Sequence, residues 1–382
     1  MTLGILYPRS AVYPDMGVDF VDGLKSFIQT KLPGNAPQLY LEGIGFGGAE
    51  KEVYDKAEKL LRFDKVDILI AFIDLRVLPI LEPLVYSLDK LLVVVNAGAN
   101  YPTNWIPQPN VVFLGLQHAF LCWMAGMEAA HGQTPNAALA TSFYDCGYLH
   151  STAIVNSFVQ HGGNLTHNFV YNKSYDAFDI APLTDFLSAD NHTNKILCVY
   201  DTLPGGLFYS KLKNHSGATG LELFVSPMML EDTAIEELRA GIPFEVTGYR
   251  PWDAMLEEDA NQSFKKAIET YSKKAANIFS LLGWETGLVI EQILSQPTGQ
   301  HFDGSVIAEQ LKQVSLSGPR GTMQLDNETH YFLSPIIRST VKGTDIVSET
   351  VPVSTVKQYW TAFTAQPVEG ITAGWTNTYL CY

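Results

Sequence analysis

The chain has 382 residues, 46% of them apolar and 17% charged, with 25 basic against 40 acidic side chains and a formal net charge of −15. That length exceeds one ordinary hydrophobic core and suits two, and the composition is that of a globular protein. An acidic surface with no basic block repels phosphate backbones and anionic lipid, so no nucleic acid is expected as a partner.

The first half alternates strand-like and helix-like stretches. Residues 3–7 read as a strand and 16–31 as an amphipathic helix, with Val18, Val21, Leu24, Phe27 and Ile28 on one face. Strands follow at 38–42, 66–72, 91–96 and 111–114, and helices at 49–63, around 76–88, and at 117–131. This β-α order predicts a parallel sheet covered on both faces. The rhythm then restarts with a strand at 137–142 and a helix at 149–160 closed by Gly162-Gly163. Strands at 168–171, 195–200 and 222–225 follow, with a helix at 233–240. A third section adds long helices at 264–280 and 284–295 and late strands at 330–341 and 350–355.

The fold class expected is α/β, with two doubly wound parallel-sheet lobes joined by a multi-strand hinge. The chain is expected to cross between lobes near 115–116, 247–250 and 324–330. Residues 1–116 plus about 248–328 would form one lobe, and 117–247 plus 329–382 the other. The most apolar runs, such as 66–73 and 91–95, fall far below the ~20 residues of a spanning helix. Met1 leads almost at once into an apolar run, without a basic segment or cleavage site. Two readings follow: a cytoplasmic protein, or a chain whose leader has been removed. Cys122, Cys146, Cys198 and Cys381 form no CxxC pair. The first three lie in apolar surroundings that suit buried thiols, with a Cys122–Cys146 bridge as the alternative in an oxidising compartment.

One motif suggests a nucleotide: Gly43-Ile44-Gly45-Phe46-Gly47-Gly48, formally G-x-G-x-x-G. A dinucleotide fold needs that loop after the first strand of its unit, with an acid closing the next strand about 20 residues on. Here it follows the second strand, and the nearest acid at that distance, Asp67, begins a strand, so the loop reads as a glycine-rich turn. There is no G-x-S-x-G, P-loop or H-E-x-x-H. The histidines are scattered, and His161 and His167 lack a third ligand nearby. Neither catalytic residues nor a metal nor a cofactor is expected.

Aromatic and hydrogen-bonding residues collect instead at strand C-termini, where open α/β sheets bind ligands. The first strand runs into Tyr7, Arg9, Ser10 and Tyr13; the third ends at Asp74; the fourth at Asn96, Gly98 and Asn100. In the second unit strands end at Phe143 and Tyr144, at Tyr200 and Asp201, and at Ser226. Such a collection suits a small-molecule cleft between lobes, although Asp74 and Asn96 are also ordinary helix caps.

Five stretches carry a family likeness: Gly4-Ile5-Leu6-Tyr7-Pro8, the run 65–70, Asp145-Cys146-Gly147-Tyr148, the run 279–287, and Ser317-Gly318-Pro319-Arg320-Gly321 with Asp326. Through them nearly the whole chain resembles the type 1 periplasmic binding proteins, the solute receptors of ABC transporters, particularly the branched-chain amino acid and amide branch. The resemblance implies a hinged, non-catalytic, extracytoplasmic receptor, periplasmic or lipid-tethered. It would act as a monomer that closes on a small-molecule solute and delivers it to the membrane permease of an ABC importer. It also implies, by position, ligand contacts from the loop after the first strand, Asp74, Gly98, Asn100, Tyr148, Tyr200 and residues 226–228. One departure stands out: amino-acid binders of this family place Ser or Thr where this chain has Asp74. A carboxylate there repels an α-carboxylate unless Arg9 compensates, which leaves an aromatic or amphipathic solute as open as an amino acid. The same fold serving as a ligand sensor, and an enzyme using the 43–48 loop, are the alternatives.

Overall fold

The computed structural model describes residues 1–98, 106–132, 136–142, 148–172, 175–190, 192–295, 302–366 and 379. In chain order the first unit comprises β1 (Thr2–Tyr7), α1 (Met16–Lys31), β2 (Gln38–Gly43), α2 (Glu50–Glu58), β3 (Ile68–Phe72), α3 (Leu78–Tyr86), β4 (Leu91–Asn96) and β5 (Val111–Gly115). Its strands are all parallel, in the order β2-β1-β3-β4-β5. β3 and β4 are buried at every position, as strands covered on both faces must be. α1 buries Phe20, Val21, Leu24, Phe27 and Ile28. Val18, expected on that face, is 50% exposed, because at helical spacing it falls well off the arc centred on Leu24. The glycine-rich loop 43–48 follows β2, an edge strand.

The second unit comprises α4 (His118–Ala129), β6 (Asn136–Ser142), α5 (Tyr148–Gln160), β7 (Asn164–Tyr171), α6 (Ala181–Ala189), β8 (Lys195–Val199), α7 (Thr202–Leu212), β9 (Glu222–Val225), α8 (Asp232–Arg239) and β10 (Ile242–Arg250). Its parallel strands run β7-β6-β8-β9-β10, the same winding as the first sheet. In both sheets the order reverses beside the unit's first strand, between β1 and β3 and between β6 and β8. Loops diverge at such switch points and open a crevice at the strand C-termini.

The third section comprises α9 (Asp259–Ser272), α10 (Ile278–Ser295), α11 (Gly304–Leu311), β11 (Ser315–Gly318), β12 (Gly321–Leu325), β13 (Phe332–Leu333), β14 (Ile336–Gly343), β15 (Asp345–Val351) and α12 (Val353–Thr364). α9 and α10 pack on α1, so late sequence covers the early sheet. β11, β12 and β13 form a small antiparallel sheet, and Tyr331 bridges to Phe113 of β5. β14 extends the second sheet antiparallel to β10, and β15 pairs antiparallel with β14. The chain therefore leaves the first sheet after β5, returns after β10, and crosses a third time at residues 334 and 335. That last passage falls later than 324–330 because β12 and β13 are still paired there.

Two stretches depart from their sequence patterns. The helix expected over 264–280 ends at Ser272, where Lys273 adopts a left-handed φ of 61°, and the next begins at Ile278. The strand expected over 350–355 stops at Val351. β-Branched Val351, Val353 and Thr355 suggest a strand, but Val356, Trp360 and Phe363 recur at helical spacing and bury one face of α12. Cys122 and Cys198 are buried free thiols, while Cys146 and Cys381 lie outside the described residues. No helix among the described residues is long and apolar enough to cross a membrane.

α1 and α10 approach closely enough for backbone contact. A Cβ on Gly283 would lie 2.0 Å from the Phe20 carbonyl oxygen, and one on Gly23 would lie 2.1 Å from that of Ser280. Gly283→Ala should therefore destabilise the protein by about 1–3 kcal/mol, despite alanine's better helix propensity. A lowered urea midpoint with unchanged slope would register it.

Candidate ligand-binding site

The loop after β1 is set by Ser10. Its buried hydroxyl accepts from the backbone N–H groups of Val12 (3.2 Å) and Tyr13 (3.0 Å), a local turn that fixes where Tyr13 points. The Tyr13 hydroxyl donates to Asp201 Oδ1 at 2.8 Å and lies 3.3 Å from Thr202 Oγ1. Asp201 follows β8 and caps α7, accepting from the Thr202 N–H at 2.7 Å. The C-terminal ends of the two sheets are thus joined by a charge-assisted hydrogen bond. Burial, and then the Asp201 charge, hold the Tyr13 phenol far above its usual range, so it remains a donor.

Rings surround Tyr13. Phe279, at the start of α10, meets it edge-on at 5.6 Å, and Tyr379 does so at 5.0 Å. Asn277 caps α10 by accepting from the Phe279 and Ser280 N–H groups, and its amide donates to Asp19 of α1 at 2.8 Å. His118, the first residue of α4, lies edge-on to Tyr379 at 5.4 Å and to His150 of α5 at 6.0 Å. His118 is wholly buried, and neither ring nitrogen has a hydrogen-bond partner among the described residues. Burial, then the neighbouring His150 and Arg320, push its pKa well below the usual imidazole value and keep it neutral. A neutral imidazole offers one donor and one acceptor, and leaving both unmet in the interior is costly. Beside this cluster opens a cleft of about 520 Å³, bordered by Tyr13, Asp19, Glu231, Trp252, Asn277 and Phe279. Among the described residues no group of His, Cys, Asp and Glu could hold a metal ion.

The Gly318-Pro319-Arg320-Gly321 stretch makes the β11–β12 turn and sends Arg320 inward. Its guanidinium pairs with Glu285 of α10, Nε to Oε1 at 2.8 Å, and lies 3.4 Å from the Gly115 carbonyl at the first crossing. Both side chains are inaccessible to solvent. Gly98, at φ +69°, lets the chain pass over Gln117, whose backbone a Cβ would meet at 2.5 Å.

The expected contacts separate into two groups. Ser10, Tyr13 and Asp201 come together at the junction of the sheets. Asn96 is buried and accepts from the Gly98 N–H at 2.6 Å, its amide nitrogen unpartnered among the described residues. Asp74 caps the turn after β3 by accepting from the Arg76 N–H. Ser226 donates to the Tyr200 carbonyl at 3.1 Å, and the Tyr200 ring stacks on Phe208 within the second unit's core. The Tyr7 ring covers Gly17 and Gly43. Arg9 is exposed, lies over the Phe46 ring at 4.8 Å, and does not border the cleft. Asn100, Phe143 and Tyr144 lie outside the described residues, as does the Tyr148 side chain. His118, Glu231, Phe279 and Tyr379 complete the cluster without having been singled out as contacts. Only Phe279 carried a sequence signal, at the head of the run 279–287.

Glu285→Gln should cost about 3–5 kcal/mol, because it leaves the Arg320 charge buried without its counterion; a urea melt measures it. His118 should make stability pH-dependent. The unfolded chain takes up a proton near the usual imidazole pKa, and the folded chain does not, so stability falls as pH drops below about 6.5 and is flat above it. Urea midpoints between about pH 5 and 8 should show that slope, and His118→Gln should flatten it.

The comparisons with known proteins bear on the fold and the family. Residues 1–345 match the family described as Periplasmic binding protein. An ABC transporter substrate-binding protein from Sphaerobacter thermophilus superposes with a TM-score of 0.75 at 16% identity, covering 92% of this chain and 98% of that one. A solute-binding protein from R. palustris, in complex with 4-hydroxybenzoate, gives 0.70 at 16% identity over 92% and 96%. The branched-chain amino acid transporter substrate-binding protein from Streptococcus pneumoniae, in complex with isoleucine, gives 0.67 at 11% over 92% and 100%. A search by sequence among curated proteins returns no match. Identities this low speak for a shared fold, whereas the family match runs through both sheets and all three crossings: the chain belongs to the periplasmic binding protein family and has its type 1 α/β fold.

Proposed function

We propose that the protein is an extracytoplasmic receptor, periplasmic or lipid-tethered, that closes around a small aromatic solute and presents it to the permease of an ABC importer. It works as a monomer and performs no chemistry on the solute. Residues 1–116 with about 248–328 form one lobe, and 117–247 with 329–382 the other, the β12–β13 pairing drawing 329–333 toward the first. The observation that carries the reading is the set of rings at the junction of the sheets, Tyr13, His118 and Phe279, with Asp201 and Glu231 as acceptors beside them.

Those carboxylates favour a hydroxyl or amine at that end of the solute and repel an acid group, which takes the opposite end. The family fold in R. palustris that holds 4-hydroxybenzoate supports an aromatic acid of this kind. An ordinary amino acid fits less well, since Asp74 stands where a hydroxyl would receive its carboxylate. Of the contacts expected from sequence, Ser10, Tyr13, Asn96, Gly98 and Asp201 remain in the proposed site, with Asn100, Phe143, Tyr144 and Tyr148 as further candidates. Calorimetric titration with 4-hydroxybenzoate and with isoleucine tests this. The aromatic acid should bind, and Phe279→Ala should weaken it by roughly ten- to a hundredfold through lost apolar and edge-to-face contact. Binding of isoleucine alone would sink the aromatic reading.

A further inference from the structure

Tyr379 lies 15 positions beyond the end of α12 at Thr364, yet it is only 1% exposed. Its ring stands edge-on to Tyr13 at 5.0 Å, to Phe279 at 5.2 Å and to His118 at 5.4 Å, and its hydroxyl donates toward Glu231 Oε2 at 3.3 Å. A tyrosine side chain is a para-hydroxyphenyl group, the group that 4-hydroxybenzoate would bring to the site. We infer that Tyr379 is a tethered occupant of the aromatic subsite, filling it in the solute-free protein and leaving when a para-hydroxyphenyl solute enters. This rests on the proposed function for the identity of the solute, but not for the occupancy of the subsite.

The geometry gives the competition a direction. Tyr379 donates to Glu231 across a long 3.3 Å, and among the described residues both nitrogens of His118 stay unmet. A free solute that supplies a ring, a hydroxyl and one further polar group can satisfy more of the site than the tethered ring does. The tether compensates by concentration: because the ring belongs to the same chain, it faces the site at an effective concentration in the millimolar range. The ring therefore raises the threshold for solutes with a single weak contact, and yields to those that use the whole site.

The test uses the full-length chain, its Tyr379→Ala variant and its Tyr379→Phe variant, titrated with 4-hydroxybenzoate and with p-cresol, the bare para-hydroxyphenyl group. Tyr379→Ala should bind both probes more tightly than the unaltered chain, on the order of tenfold, and Tyr379→Phe should lie between. Thermal melts of the solute-free variants check that each is folded. Weaker binding by Tyr379→Ala would make Tyr379 a wall of the solute site, and unchanged binding would remove it from the site; either result overturns the inference. The two readings part cleanly. If 4-hydroxybenzoate binds none of the three proteins while p-cresol prefers Tyr379→Ala, the aromatic-acid function falls and the tethered occupant stands. If both probes bind all three proteins alike, the function stands and the tethered occupant falls. If neither probe binds any of them, both fall.

Discussion

Helices α1 and α10 touch backbone to backbone at Gly23 and Gly283, although some 260 positions separate the two glycines (283 − 23). The face of the cleft built on the first sheet depends on that contact. Tyr13 sits in the loop that enters α1, and Phe279 is in the first turn of α10, so the spacing of the two helices is also the spacing of the two rings. Asn277 secures the register by capping α10 while its amide holds Asp19 of α1. Any side chain at either glycine would push the helices apart and the rings with them. The late helices are thus part of the site's foundation, and the first unit is incomplete without chain that lies beyond the second.

The two sheets meet through contacts of different character. Arg320, Glu285 and the Gly115 carbonyl form a buried knot at the first crossing, out of reach of water and made of groups that cannot be separated without leaving a bare charge inside the protein. Tyr13 and Asp201 meet through one hydrogen bond between loops. A hydrogen bond to a charged group contributes about 1.5–3 kcal/mol, an amount that an opening motion can overcome and a bound solute can outweigh. In the receptor proposed above, one junction would serve as a pivot and the other as a latch.

Much of this was legible in the sequence, for identifiable reasons. Strands buried on both faces read as unbroken apolar runs, so β4 and β9 match their expected limits to the residue. Short paired segments such as β11 and β12 carry too few residues to show a period, and the β-branched start of α12 imitated a strand. In the site, Ser10, Tyr13 and Asp201 were accessible to reasoning because strand C-termini are where parallel sheets present loops. Asp74 and Ser226 share that position, but Asp74 meets the Arg76 N–H and guanidinium and Ser226 donates to the Tyr200 carbonyl. Arg9 drew attention as the one cation in an aromatic loop, yet its guanidinium lies over the half-buried Phe46 ring and away from the cleft. His118, Glu231 and Tyr379 were beyond reach. Their roles come from which elements stack at the junction, and no local pattern encodes that.

The burial of the Tyr13 hydroxyl has a further consequence. A protein that works outside the cytoplasm meets a medium whose acidity the cell does not regulate. A latch built on imidazole would slacken and tighten as that medium changed, and uptake would follow the weather of the surroundings. A phenol held far above its usual range keeps its proton from acidic to alkaline media, so the donor half of the latch is the same in all of them. The buried tyrosine thus keeps the donor half of this contact independent of external acidity.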